Sequence, residues 1–230
     1  MHPLPHTSTI SHGNMSFLLG DTDRVTENRT AFLRENGIAW EEHFCMRCTH
    51  GREIVTVTSN TPVDKYRMLE AEVLVTQEAG CTLMLLTADC LPTTFFDPVT
   101  KTLALAHFSR QTIADALPEK TIVFLQTHFG VDPANLQVTV GPHIHKDSYR
   151  FPTPLQTVYE ILKPYLTIES DYTYIDLPSA HNAQLITAGV PADKIKISTI
   201  DTASSVDHYS HFASTHHAEA PGRIATIVTL

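Results

Sequence analysis

The 230-residue chain lacks any long uninterrupted run of apolar residues. A membrane-spanning helix needs about 18 or more of them in succession, so we expect no transmembrane segment and no membrane partner. The first six residues, Met1-His2-Pro3-Leu4-Pro5-His6, also lack the basic start and the apolar stretch of a secretory signal peptide. We therefore expect a cytoplasmic protein.

An excess of basic residues is missing as well. The 16 lysines and arginines are outnumbered by 25 acidic residues, and the formal net charge is −9. Nonspecific binding to nucleic acid depends on lysine and arginine neutralising phosphates, so this charge argues against a nucleic-acid partner. A small molecule or another protein is the more natural partner.

Cysteine is scarce, with only 4 residues in the chain. In a reducing cytoplasm they are expected to be thiols, and metal binding or catalysis explains them better than disulfides do. Cys45-x-x-Cys48 has the spacing of a zinc ribbon or a redox pair, but a ribbon needs a second close pair, and Cys81 and Cys90 lie too far apart to supply it. We interpret Cys45 and Cys48 as ordinary thiols, with the redox pair as the alternative.

Linkers, internal repeats and low-complexity tracts are absent too, which predicts a single domain over residues 1–230. Hydrophobic periodicity and turn residues predict a mixture of helices and strands. The predicted helices cover 22–37, 118–128, 154–162 and 177–188, and the predicted strands cover 53–58, 82–87, 93–96, 102–106, 136–140, 195–198 and 224–228. Because the two types do not alternate strictly, an α/β fold other than a TIM barrel or a doubly wound sheet is favoured.

Three residues that carry metal-binding side chains, His50, Cys90 and His107, are predicted to lie near strand ends. Cys90 follows the buried strand 82–87, and His107 follows the apolar strand 102–106, with a hairpin between them. Two imidazoles and one thiolate form one of the ligand sets of catalytic zinc, which leaves a fourth position for water or substrate. The alternative is that each of the three is an ordinary core residue, since a free cysteine behaves as a small hydrophobe.

Asp89 immediately precedes Cys90, and a carboxylate at this position is costly to bury unless it is paired or used. It is a candidate general acid or base, or a hydrogen-bond partner of a ligating histidine.

Histidine is abundant, with 14 residues, and several of them crowd into segment 208–217. We interpret His208, His211, His216 and His217 as part of a solvated loop, with a second metal site as the alternative, because their spacing is not that of a regular ligand set.

Several segments together resemble one protein family. They are Glu70-Ala71-Glu72-Val73-Leu74-Val75-Thr76, Leu86-Thr87-Ala88-Asp89-Cys90-Leu91-Pro92 with Asp97-Pro98, His50-Gly51, Leu105-Ala106-His107, Val140-Gly141-Pro142 and Gly222-Arg223-x-Ala225. They resemble the motifs of the laccase-domain, or YfiH-like, family, once labelled multicopper polyphenol oxidoreductases and now described as zinc-dependent purine nucleoside phosphorylases with adenosine deaminase activity.

The resemblance implies that His50, Cys90 and His107 bind zinc, in agreement with the reading of the residues themselves. It also implies an α/β fold of layered mixed sheets flanked by helices, distantly like that of the cytotoxic necrotizing factor deamidases. Copper is less favoured than zinc, because multicopper chemistry needs many more histidines in ordered pairs.

The chain departs from the family at positions expected to hold the substrate. Where the family has Trp-Arg after the histidine, this chain has Arg110-Gln111; His143 replaces a cysteine after Gly-Pro; and the Phe-Ser-Tyr-Arg-Arg segment becomes Tyr209-Ser210-His211-Phe212-Ala213. We assign substrate or phosphate binding to Arg110, His143 and Arg223, and catalysis to Asp89 and Cys90.

Three hypotheses about function follow. The first is a zinc enzyme that cleaves purine nucleosides with phosphate and deaminates adenosine, with Asp89 moving protons. The second is an amide hydrolase of the peptidoglycan-editing type, with Cys90 as nucleophile and His107 as base. The third is a family member without catalysis, whose metal site is structural.

Overall fold

The computed structural model describes residues 3–230. The α-helices in this range are α1 (Thr22–Glu35), α2 (Arg110–Ala114), α3 (Leu117–Phe129), α4 (Leu177–Thr187) and α5 (His211–His216). The strands are β1 (His6–Thr7), β2 (His43–Arg47), β3 (Ile54–Thr56), β4 (Met68–Glu70), β5 (Val73–Thr76), β6 (Thr82–Thr87), β7 (Leu91–Asp97), β8 (Thr102–Phe108), β9 (Gln137–Val140), β10 (Arg150–Pro152), β11 (Leu166–Glu169), β12 (Tyr172–Ile175), β13 (Ile195–Ile197) and β14 (Ile224–Thr229).

The strands form two large mixed sheets and one small antiparallel sheet. The first sheet has five strands in the order β1-β14-β6-β2-β4, and the second has six in the order β13-β9-β7-β8-β5-β3. The small sheet has the order β10-β12-β11. In the first sheet, β2 is parallel to both β4 and β6, so these three strands end at the same edge.

Strict alternation of side chains shows how the two large sheets are stacked. On β8, Leu103 and Leu105 belong to a core shared with Leu83 and Leu85 of the first sheet, whereas Ala104 and Ala106 belong to a core shared with helices. The two sheets therefore pack face to face through one apolar layer, and the other face of the second sheet is covered by α2, α3 and α4.

The outer face of the first sheet is covered by α1. Phe32 and Leu33 of this helix pack against Met84 and Ile227 of the sheet, and Trp40 packs partly buried against the same cluster. The order of layers is therefore helix, sheet, sheet, helices. The predicted α/β fold of layered mixed sheets flanked by helices is confirmed.

The helix predicted over 22–37 exists but differs at both ends. The Asp21 carboxylate accepts hydrogen bonds from the backbone amides of Asp23 and Arg24, so the N-cap is Asp21. The helix ends at Glu35, two residues before Gly37, whose φ of 73° places it in the left-handed region that glycine tolerates.

The prediction of a helix over 154–162 is wrong. Strand β10 occupies Arg150–Pro152 and pairs with Tyr172–Tyr174 of β12. The backbone amide of Thr153 continues this pairing by donating to the carbonyl of Asp171. Strand pairing thus holds the chain extended up to the start of the predicted helix, and the later residues form only a 3₁₀ helix, Glu160–Tyr165.

The His-rich segment 208–217 is not simply a solvated loop. It contains α5, and His208 is buried.

No helix within residues 3–230 is both long enough and apolar enough to cross a membrane.

The layer between the two large sheets supports a stability prediction. Leu105 is completely buried there, so Leu105→Ala is expected to lower the free energy of unfolding by about 2–5 kcal/mol, because it removes apolar contacts and leaves a cavity. Chemical denaturation measures this value. Val99→Ala, at a side chain that is 69% exposed, is the control and is expected to change it by less than about 0.5 kcal/mol. Equal effects of the two substitutions would contradict the layer assignment.

Candidate metal centre and adjoining cavity

The three predicted ligands come together because the chain repeatedly crosses from the first large sheet to the second at one edge. The crossover from β2 to β3 carries His50, and the crossover from β6 to β7 carries Cys90. His107 is the second-last residue of β8 and lies opposite Pro92 of β7. The hairpin expected between Cys90 and His107 is therefore present.

His50, Cys90 and His107 each offer one ligand atom, and these atoms all lie within 4.8 Å of one another. Ligand atoms around a tetrahedral zinc ion are roughly 3.3–3.6 Å apart, given zinc bonds of about 2.0–2.3 Å. Two imidazoles and a thiol are also donors that zinc prefers. The donor set and its spacing therefore fit a zinc ion after a small closing movement.

A second group of metal-binding side chains shares His107 with the first. It consists of Cys48, Glu72 and His107. Nδ1 of His107 and Oε2 of Glu72 are only 2.6 Å apart, which is a short hydrogen bond and too close for both atoms to bind one ion at tetrahedral angles. We therefore place the candidate centre at His50, Cys90 and His107, with Glu72 as the hydrogen-bond partner of His107.

Glu72 is a functional candidate that the sequence reasoning missed, since that reasoning offered Asp89 as the partner of a ligating histidine. Glu72 lies in the crossover from β4 to β5 and is fully buried. An acidic residue directly before an apolar strand, between two histidine-bearing segments, is the sequence signal that could have found it. Burial raises the pKa of Glu72, but the hydrogen bond and charge of His107 help to lower it below its usual range.

The side chains of the centre are electrostatically coupled. Burial raises the pKa of Cys90, but the charges and hydrogen bonds of His107 and His50 outweigh burial and bring it down to about 7. Burial likewise lowers the pKa of His107, while the neighbouring thiols of Cys48 and Cys90 outweigh burial and raise it well above its ordinary value. Cys90 is thus ready to act as a thiolate near neutral pH.

Two of the three residues adjoin a strained backbone. His50 itself has a φ of 59°, and Asp89, directly before Cys90, has a φ of 87°. Such left-handed conformations are uncommon outside glycine, and they concentrate at functional sites.

Asp89 is held in place by the protein. Its carboxylate accepts hydrogen bonds from the Thr202 hydroxyl at 2.7 Å and from the Phe212 backbone amide at 2.6 Å. It therefore ties the Cys90 crossover to α5 and does not contact either histidine through a hydrogen bond. Asp89 and Cys90 both line a cavity of about 410 Å³.

This cavity has a metal-binding wall, a cationic group and an aromatic wall. His50 and Cys90 line one part, Arg110 another, and Tyr149 and Phe212 a third. Burial raises the pKa of Tyr149 to about 12, so its phenol keeps its proton at neutral pH.

Arg110 lies at the first turn of α2 and stacks over the ring of Phe151 at 5.1 Å. Within residues 3–230 it forms no ion pair with an acidic side chain. A half-buried guanidinium with uncommitted donors beside a cavity can bind an anionic oxygen group.

His143 and Arg223 lie elsewhere. His143 is fully buried after β9, and its Nδ1 donates to the carbonyl of Gly141 at 2.7 Å. Burial lowers the pKa of His143 to about 4, so the ring is neutral. The guanidinium of Arg223 donates to the carbonyl of Gly222. Neither side chain lines the cavity, whereas His50, Asp89, Cys90 and Arg110 do.

Within residues 3–230, the remaining cysteines and histidines add no metal-capable group to the two described above. Cys45 is buried, accepts a hydrogen bond from Arg29 and belongs to neither group. The metal-capable groups found in residues 3–230 contain none of His208, His211, His216 and His217. His211 and His216 instead line the cavity.

The layered fold with this His-Cys-His cluster at one edge defines an α/β protein with a candidate metal centre. The family model described as "Multi-copper polyphenol oxidoreductase laccase" matches residues 6–230, and the chain belongs to this family.

Relatives with similar sequences carry a common name. Purine nucleoside phosphorylase SCO2081 of Streptomyces coelicolor is 28% identical over 213 residues, which cover 91% of this chain and 84% of the relative. Purine nucleoside phosphorylase YlmD of Geobacillus stearothermophilus is 28% identical over 231 residues, which cover 94% and 82%.

The fold is also similar to solved structures. The crystal structure of YlmD from Geobacillus stearothermophilus superposes with a TM-score of 0.88 at 24% identity, covering 99% of this chain and 91% of that chain. That of Bacillus licheniformis YfiH gives 0.81 at 23% identity, covering 94% and 85%.

The pKa of Cys90 makes a measurable prediction. In metal-free protein, alkylation of Cys90 by iodoacetamide is expected to rise with pH around a midpoint near 7, because the thiolate is the nucleophile. Peptide mapping of the alkylated protein measures each cysteine separately. Cys45 and Cys81, whose pKa values are raised by burial, serve as slow internal controls. A Cys90 midpoint at or above about 8.5, the value of a free thiol, would contradict the coupling.

Proposed function

We propose that this protein is a zinc-dependent purine nucleoside phosphorylase that also deaminates adenosine. The observation that carries the proposal is the meeting of His50, Cys90 and His107 within 4.8 Å. Two of these residues, His50 and Cys90, line a cavity that Arg110 also lines. The names of the relatives supply the substrate class.

His50, Cys90 and His107 would hold the zinc ion. Once bound, zinc supplies Lewis-acid chemistry at a vacant coordination position. Copper has less support, because the metal-capable groups in the described chain include only two histidines, His50 and His107.

The protein groups divide the remaining work. Arg110 binds phosphate through its free N–H donors, and Tyr149 and Phe212 give the purine ring an apolar wall. In phosphorolysis, a phosphate oxygen bonds to the anomeric carbon of ribose while the bond to the purine nitrogen breaks, and the leaving base takes up a proton. In deamination, water replaces the exocyclic amine, which leaves as ammonia.

Proton transfer by Asp89 stays a prediction. Each of its oxygens accepts one hydrogen bond within the protein, from Thr202 or from Phe212, so a substrate would have to reach the remaining lone pairs. Substrate contact by His143 and Arg223 also stays a prediction, and the geometry favours Arg110 over both of them.

A cysteine-dependent amide hydrolase is the second candidate, favoured by the pKa of Cys90 near 7 beside His107. A thiolate that binds zinc is a poor nucleophile, so metal dependence separates the two. Activity that survives chelation but is abolished by alkylation of Cys90 would favour the hydrolase.

The direct test combines metal analysis with a nucleoside assay. Purified protein is expected to contain about one zinc ion per chain, to release free base from inosine only with phosphate, and to release ammonia from adenosine. Chromatography of the bases and an ammonia assay measure these products. A fully zinc-loaded protein that forms neither product would refute the proposal and leave the structural metal site.

Loss of a ligand provides the first variant. His50→Gln is expected to weaken zinc binding by more than about 100-fold, since one of three protein ligands is lost, and to abolish both reactions. Competition with a chelator measures the affinity. His128→Gln alters another exposed histidine, at the end of α3, and is expected to change neither. Unchanged zinc affinity in His50→Gln would remove His50 from the ligand set.

Arg110→Gln tests the anion site. Loss of charge-assisted hydrogen bonds, each worth about 1.5–3 kcal/mol, is expected to raise the KM for phosphate by about 10- to 100-fold while zinc content stays the same. Steady-state kinetics at varied phosphate measures this change. Arg150→Gln, at an exposed arginine on β10, is the matched control. The assignment fails if only the KM for the nucleoside rises.

A further inference from the structure

One carboxylate contacts both histidine-bearing segments of the candidate centre. Oε2 of Glu72 accepts a hydrogen bond from Nδ1 of His107 at 2.6 Å. Oε1 accepts from the backbone amides of Thr49 at 2.7 Å and Gly51 at 3.1 Å, the residues on either side of His50. Glu72 is fully buried, so water does not compete for these three bonds.

The bond to His107 decides which of its nitrogens is available. An ionised carboxylate only accepts hydrogen bonds, so Nδ1 of His107 must carry the proton that is shared with Glu72. When the ring is neutral, Nε2 is then the nitrogen whose lone pair is free for an ion. The carboxylate therefore selects the tautomer of His107 that can bind metal.

The bonds to Thr49 and Gly51 decide where His50 lies. His50 is exposed and has a φ of 59°, a conformation that persists only where the surroundings hold it. The amides of both neighbours converge on one oxygen atom of Glu72, and this fixes the turn on both sides of His50. Without that acceptor, two backbone donors near the centre would lose their partner.

We propose that Glu72 is a positioning residue that prepares two of the three ligands. It selects the tautomer of His107 and fixes the location of His50. The proposal rests on the proposed function, since it takes His50, Cys90 and His107 as the zinc ligands. It assigns Glu72 no contact with zinc or with the substrate.

Glu72→Gln tests this role with almost no change in size. A glutamine has one oxygen and one amide nitrogen, so it cannot accept on both sides. If the glutamine oxygen keeps the hydrogen bonds from the amides of Thr49 and Gly51, its NH₂ group donates to Nδ1 of His107, and the ring proton moves to Nε2. If the side-chain amide is flipped, its NH₂ group faces the two backbone N–H donors of Thr49 and Gly51. Either orientation disrupts one histidine.

The expected result is a zinc affinity about 10- to 100-fold weaker than that of the wild type, measured by competition with a chelator and independent of any activity. The matched control is Glu53→Gln in the crossover from β2 to β3, which also carries His50. Glu53 is exposed, and its side chain accepts from the backbone amide of Arg52, so this control loses the same charge and is expected to keep wild-type affinity. Equal affinity in Glu72→Gln and wild type, or equal loss in both variants, would overturn the proposal.

The tautomer of His107 gives a readout that needs no variant. Nitrogen-15 NMR of the imidazole in metal-free wild-type protein is expected to show a proton on Nδ1 that is hydrogen-bonded to a carboxylate. An Nε2-protonated neutral ring in the wild type would overturn the proposal even if Glu72→Gln failed to fold. Wild-type protein that shows the expected ring state but binds no zinc would refute the proposed function and leave the positioning of His107 by Glu72 intact.

Discussion

The geometry of the centre depends on one constraint, that the chain passes from one large sheet to the other at a single edge. β2, β4 and β6 lie parallel in the first sheet and end at that edge, and each is followed by a short crossover to β3, β5 or β7 of the second sheet. His50, Glu72 and Cys90 lie in these three crossovers. Parallel strands end together, so three segments far apart in sequence meet without a long loop.

β8 completes the arrangement because it runs antiparallel to both β5 and β7. Its last residues therefore reach the edge where those two strands begin. Since Leu103 and Leu105 face the first sheet, alternation directs His107 to the same side. The apolar layer between the sheets thus fixes both the position of His107 at the sheet edge and the face of β8 on which it lies.

The site joins a part built on paired strands to a less regular part. The candidate ligands are carried by paired strands and short crossovers, whereas the opposite wall of the cavity is built from α5, the start of α2 and segments near the small sheet. Asp89 connects the two parts, since it precedes Cys90 and also accepts a hydrogen bond from the backbone amide of Phe212.

The parts that could be predicted from the sequence are those with a strong local signal. Apolar patterning predicts the buried run Thr82–Thr87 and the hairpin that leads on to His107. Zinc chemistry then predicts that His50, Cys90 and His107 meet, as they do. The false helix over 154–162 shows the limit, because the pairing partner of β10 lies about 20 residues further along the chain.

The side-chain roles show the same limit. Burial of Glu72 beside His107 and capture of Asp89 by Thr202 depend on contacts distant in sequence. His143 resembled a substrate residue by its place after Gly-Pro, yet its ring turns to the carbonyl of Gly141. Local pattern identifies which residues have the right chemistry, but only tertiary contacts decide which of them face the cavity.

The position of the single tryptophan has a spectroscopic consequence. Trp40 packs with α1 on the outer face of the first sheet, in contact with the ring of His43, and does not line the cavity. Its fluorescence reports on the docking of α1 against the first sheet, because the second sheet and its helices lie on the opposite side of the first sheet. Emission from Trp40 is therefore expected to change when that outermost layer detaches and to stay nearly constant when a ligand enters the cavity.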